Sequence, residues 1–165
     1  MTVAMVDAVM SGRREDAEAL VQARMPERWP NRDLVERAFT ASLDAIRAVP
    51  EVRLWGDRVM ILPGSPGEPD RVVGSVVFHG RPGEDGVAEI AYGVEDASQG
   101  LGYATEAVEA SVGWALAQEG VRAVQAATFA WHRPSLRVIE KVGMTEVGTR
   151  DHDLLGEMLV FERRR

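Results

Sequence analysis

The chain predicts a single α/β domain built on a mixed sheet, and three observations predict it. The first fifty residues place apolar side chains at helical spacing. Runs of strand length follow, separated by connections dense in Gly and Pro. Between two of those runs the turn "QGLGYA" leads directly into a strong helix former.

The elements follow in order. "REDAEALVQARM" sets Ala17, Leu20, Val21 and Met25 near one face of a helix, before Pro26 and Pro30. "NRDLVERAFTASLDAIRAV" offers Asn31 as an N-cap and a stripe of Leu34, Val35, Ala38, Ala45 and Ile46, ended by Pro50. "VRLWGDRVMIL" and "RVVGSVVFHG" flank "PGSPGEPD" and read as an antiparallel strand pair. "GVAEIAYGV" is a third strand. It puts Val87, Glu89, Ala91 and Gly93 on one face and Ala88, Ile90, Tyr92 and Val94 on the other. "ATEAVEASVGWALAQEG" is a helix with Ala104, Val108, Val112 and Ala115 or Leu116 as its stripe and Gly120 as its stop. "VRAVQAATFA" is a strand, and "RPSLRVIEKVG" is a short helix with Pro134 in its first turn. "MTEVGTR" and "EMLVFER" close the sheet around the loop "DHDLLG".

Composition bounds the function. With 165 residues the chain is long enough for one domain with a real core, and 45% apolar and 27% charged residues are ordinary for a globular protein. The absence of cysteine removes disulfides, thiolate metal ligands and a cysteine nucleophile, and it fits a reducing, cytoplasmic setting. No run approaches the roughly 20 apolar residues of a membrane span, and the N-terminus does not read as a secretory signal. A net charge of −7 argues against nucleic acid, whose phosphates need Lys and Arg, and mildly favours a cationic partner such as an amine. The three histidines have no metal-ligand spacing, so no metal is expected.

The turn carries the strongest functional signal. Gly100 and Gly102 permit unusual backbone angles and close approach of another group. The first amides of the following helix lack internal partners and sit at its positive end, an arrangement that binds phosphate. A Walker loop would need a lysine that is absent, and a dinucleotide fingerprint would need a small residue at Thr105 and an acid after the next strand. A purely structural strand-to-helix turn is the alternative.

The segment Gln99-Gly100-Leu101-Gly102-Tyr103-Ala104 resembles the pyrophosphate loop of the GNAT superfamily of N-acetyltransferases. "EIAYGVEDASQGLGYATEAV" is similar to the branch that includes the ribosomal-protein N-terminal acetyltransferases of RimJ/RimL type, and "TFAWHRPSLRVIEKVGMTEVG" resembles that branch's second block. The resemblance spans roughly residues 52 to 163, against a helical part over 1–50, and implies one N-acetyltransferase domain over 1–165. It implies a mostly antiparallel, twisted sheet with splayed central strands and flanking helices. Acetyl-CoA is the implied co-substrate, with no metal. Tyr92, Gly93 and Val94 would offer backbone groups to the pantetheine arm. Gln99, Gly100, Leu101, Gly102, Tyr103, Ala104 and Thr105 would hold the pyrophosphate, and His132 and Ser135 would contact the cofactor. A homodimer is a further implied possibility.

Direct attack by a neutral amine on the thioester needs positioning, a polarised carbonyl and a leaving thiolate. By position in the family fold, the N–H near Val94 would be the oxyanion donor. Glu89 is the candidate general base, with a pKa expected to be raised by its Ala and Ile neighbours. Its alternative is a solvated strand glutamate or one paired with an Arg. Ser135 is the candidate for assisting thiolate departure, or else a residue satisfying a backbone amide at the helix start. Ile139 stands where many relatives carry a Tyr, and His132 where the branch usually has Asn. His132 could share in proton transfer or be structural. Arg133, Arg137 and Lys141 could meet the 3′-phosphate or form a solvated face. Trp131, beside His132, is the tryptophan placed to touch substrate or cofactor. The acceptor could be a protein N-terminus or a small amine. The competing class is a non-catalytic acyl-CoA-binding or regulatory module of the same fold.

Overall fold

Valines at 72, 73, 76 and 77 suit a strand covered on both faces. In the computed structural model, which describes residues 1–27, 43–153 and 155–165, they form an inner strand of a six-stranded sheet. Among the described residues the helices are α1 (Val3–Met10), α2 (Arg14–Val21), α3 (Leu43–Ala48), α4 (Pro50–Arg53), α5 (Tyr103–Leu116) and α6 (Arg133–Lys141). The strands are β1 (Arg58–Leu62), β2 (Arg71–Phe78), β3 (Val87–Val94), β4 (Ala123–Thr128), β5 (Thr145–His152) and β6 (Gly156–Arg164). The sheet order is β1-β2-β3-β4-β6-β5, and among its described strands β3 and β4 alone pair in parallel. A parallel pair needs a crossover, which α5 supplies.

The parallel ladder is short. Val87, Ala88 and Glu89 pair with Ala123, Val124 and Gln125, and there it stops. Beyond that point β3 continues against β2 as far as Val94, while β4 continues against β6 as far as Thr128. The two central strands therefore separate after Glu89, as the family resemblance implied. Ala88 and Ile90 bury against Val108, Val112 and Ala115 of α5 and Ile139 of α6, which hold one side of the opening together. Met5, Ala8, Ala17 and Met25 form a second cluster around Val72.

Three readings change. Val52 to Asp57 is not strand: Pro50 opens the one-turn helix α4, and Gly56 has φ +78°, so β1 begins only at Arg58. Helix α2 stops at Val21 because Gln22 takes a left-handed conformation, leaving Leu20 half exposed instead of on the core stripe. Asp151 and His152 belong to β5, opposite Glu157 and Gly156. The candidate cap Asn31 and the stripe positions Leu34, Val35 and Ala38 lie outside the described residues; Ile46, from the same stripe, is buried in α3. No helix among the described residues is long and apolar enough to cross a membrane.

Candidate active site at the strand separation

The open edge of β3 is set by backbone alternation. The N–H of His79 donates to the Glu89 carbonyl at 3.0 Å, and the N–H of Glu95 donates to the Val73 carbonyl at 2.9 Å. Odd residues of β3 thus turn their main chain toward β2. Tyr92 and Val94, being even, turn theirs toward the gap left by β4. Gly93 is a correction to the sequence reading: its main-chain groups face β2, so only its neighbours offer peptide groups to the gap.

After Val94 the chain makes one 3-10 turn, Asp96–Ser98. Glu95 accepts from the Ala97 N–H at 3.2 Å and from Arg71 Nη1 at 2.9 Å, which anchors the turn to β2. Gln99 Nε2 donates to the Val94 carbonyl at 3.2 Å and to Asp96 Oδ1 at 3.0 Å. That side chain holds the turn's shape, and the N–H of Val94 is left facing the gap. Gly100 and Gly102 have φ of +77° and +94°, with open space where a Cβ would lie. Leu101 is exposed, and Gly102 caps α5 without any side-chain bond. The leading amides of α5, from Tyr103, Ala104 and Thr105, therefore face outward at the positive end of a 14-residue helix. Glu106 points to another place, a cavity of ≈ 500 Å³ between α5 and β1 that also touches Arg58, Met60 and Trp114. That cavity is also lined by Val73 and Tyr103 and by no residue of β3 or β4.

The far wall of the gap is the start of α6. Ser135 Oγ lies 3.0 Å from the Tyr92 phenol oxygen, and that phenol also donates to the Ser135 carbonyl at 3.2 Å. Burial pushes the Tyr92 phenol up, against a smaller opposing effect of the Ser135 bond. A phenol thus reaches Ser135 from β3, although Ile139 is buried where a helix tyrosine was sought. His132 has Nδ1 3.3 Å from Thr128 Oγ1 at the end of β4. Trp131 is 67% exposed and stacks on Phe129 with ring centroids 5.1 Å apart. Phe129 in turn meets the edge of His152 on β5. Arg133, Arg137 and Lys141 are exposed along α6.

Glu89 marks the point of separation, and it has partners the sequence did not reveal. Arg150 Nη1 donates to its Oε2 at 3.0 Å, and Arg150 Nη2 donates to its Oε1. His79 Nδ1 is 3.5 Å from Oε2. Burial pushes the Glu89 carboxyl up, but the hydrogen bonds and charges of His79 and Arg150 outweigh it and bring it down to about 2. The expected raised pKa is therefore corrected to a lowered one. Arg150 comes from a strand 61 positions away and carries no local motif. Among the described residues no cluster of His, Cys, Asp and Glu could hold a metal ion.

A family model described as "Acetyltransferase (GNAT) domain" matches residues 11–145. No curated protein matches by sequence. Among solved structures, Mycobacterium smegmatis RimJ in complex with CoA-disulfide aligns at 20% identity over 97% of this chain and 78% of that one, with a TM-score of 0.61. An acetyltransferase (GNAT family) from Bacillus anthracis aligns at 25% identity and a TM-score of 0.51, over 57% of this chain and 59% of that one, less than two thirds of its length. A point mutant of the spermidine N-acetyltransferase SpeG from Vibrio cholerae aligns at 11% identity over 76% and 75% of the two chains, with a TM-score of 0.59. These likenesses place the fold among acetyltransferases of this kind.

Proposed function

The chain belongs to the acetyltransferase (GNAT) domain family, and from that premise we propose that it moves the acetyl group of acetyl-CoA onto a primary amine by direct attack in a ternary complex. The observation that carries this is the gap beyond Glu89, bordered by outward main-chain groups of β3 on one side and facing the bare N-terminus of α5. An extended pantetheine arm has the hydrogen-bonding pattern of a strand and fits beside Tyr92 and Val94. A pyrophosphate fits the amides of Gly100 to Thr105, where dipole and orphan donors favour an anion. Gln99 supports that loop from behind. His132 stands at the start of α6, beside Thr128 at the end of β4.

The roles at the reacting atoms follow from position. The N–H of Val94 faces the gap and serves as oxyanion donor to the tetrahedral adduct. Ser135, in contact with the Tyr92 phenol, returns a proton to the departing thiolate. Glu89 accepts the amine's proton, directly or through water. We read the whole of 1–165 as one such domain acting in the cytoplasm, and a homodimer, an N-terminal peptide amine or a small amine as acceptor all remain within this proposal. The ion-paired state of Glu89 favours one second reading, a non-catalytic acyl-CoA-binding module.

Calorimetric titration with acetyl-CoA tests the first half, with micromolar binding expected. Gly102→Trp should weaken that affinity by more than about tenfold, because a side chain there enters the space in front of the α5 amides. No binding by the parent chain at millimolar ligand would overturn the proposal. Glu89→Gln separates the two readings: acetyl-CoA affinity should stay within about twofold while turnover with a panel of amines falls by about 10²–10⁴. Binding without any CoA release by the parent chain would favour the module.

A further inference from the structure

The Glu89 carboxylate is clasped. Arg150 sits on β5, the outermost strand of its half of the sheet, yet its guanidinium reaches over to β3 at the point of strand separation. Both of its terminal nitrogens are spent on the two carboxylate oxygens. His79, just past β2, has Nδ1 3.5 Å from Oε2. Glu89 is 25% exposed and Arg150 45%, so solvent reaches the pair mainly through the arginine. The carboxylate is half-buried and held by cations, and the arginine, the more exposed of the pair, is the removable one.

We infer that the Arg150 guanidinium occupies the subsite of the acceptor's ammonium group, and that the acceptors are aliphatic amines that arrive protonated and take its place on Glu89. This rests on the acetyl-transfer reading above. A protonated alkylamine matches the guanidinium in charge and in N–H donors, so exchange leaves Glu89 paired throughout. A neutral aryl amine offers no charge and leaves the clasp shut. Arg150 is therefore a specificity-determining residue: it competes with every acceptor and sets a charge requirement for entry.

Exchange also puts the acceptor's own N–H donors on the Glu89 carboxylate oxygens that Arg150 holds. While Arg150 and His79 both hold Glu89, its carboxyl stays far below neutrality. After exchange the ammonium and His79 face Glu89 together, and His79 is itself raised chiefly by its hydrogen bond to Glu89. The bound ammonium then gives one proton to Glu89. The freed lone pair attacks the thioester carbon, the adduct loses a second proton, and the C–S electrons leave on sulfur, which takes one proton back. One acetamide, one thiol and one net proton result.

Butylammonium chloride is the probe, titrated into the whole chain at matched ionic strength and pH 8. The Arg150 Nε–H and Glu89 carboxyl carbon NMR signals are followed, assigned by comparison with variants. Butylammonium should shift both signals together and saturably, and neutral aniline should shift neither. Arg150→Met should bind butylammonium at least about fivefold more tightly, Arg150→Lys by a smaller factor, and Glu89→Gln should not respond. Signals that stay put at saturating butylammonium overturn the inference, as does weaker binding to Arg150→Met and Arg150→Lys in chains that melt like the parent. An acetyl-CoA titration of the same samples separates the two claims, since its failure would remove the acetyl-transfer reading whatever the amine does.

Discussion

Asp57 and Glu89 illustrate how far a carboxylate's behaviour depends on distant neighbours. Both are shielded by the sheet, and burial is the largest influence on each. Glu89 meets two cationic partners and ends well below its ordinary value. Asp57, 1% exposed, has one close donor, the Phe78 N–H at 2.7 Å from Oδ1, and is pushed up to about 7. An acid whose folded pKa is raised contributes stability below its unfolded value of 3.8 that is lost as pH rises through about 7. Asp57→Asn keeps an oxygen for the Phe78 N–H and removes the charge. Its melting temperature should be flatter than the parent's between about pH 4 and about pH 7, with the gain over the parent largest above pH 7. Parallel melting curves across that range would refute this.

At the scale of elements, the turns decide more than the strands do. Gly56 follows α4 at φ +78°, and a Cβ there would lie 2.5 Å from Trp114 Cζ3 and 2.6 Å from Phe78 Cδ2. Trp55, Phe78 and Trp114 already meet at centroid distances of 4.8 to 6.1 Å. Gly56→Ala should therefore destabilise the fold by about 1–3 kcal/mol from overpacking, with further strain from the left-handed backbone. A urea midpoint unchanged from the parent would show that the ring cluster yields. The helix α5 was legible because its apolar stripe and glycine boundaries are local. The start of β1 was misread because the apolar pattern of "VRLWGDRVMIL" runs on through Pro50's helix and Gly56's turn, whose conformation answers to the aromatic cluster.

Across the whole molecule, one short parallel ladder organises everything. Where β3 leaves β4, the fold opens a gap with main-chain groups on one wall, a helix N-terminus at one end and a charged clasp at the point of divergence. The acidic balance of the chain, −7, favours cations over anions at long range. The amides at the start of α5 carry a positive dipole end that acts locally against that field, within about a turn.

By itself the sequence determined the class of fold, the order of helices and strands over residues 58 to 164, and the glycine turn that opens α5. Those features rest on periodicity, glycine geometry and contiguous motif, all of which act between near neighbours in the chain. Tertiary structure alone decided that Gly93 turns its peptide groups to β2, that the Tyr92 phenol meets Ser135, and that Arg150 closes on Glu89. Strand register and sheet order fix those contacts, and electrostatic energy depends on distance in space. Residues 61 positions apart in the chain can share a proton's fate only once the sheet has brought them together.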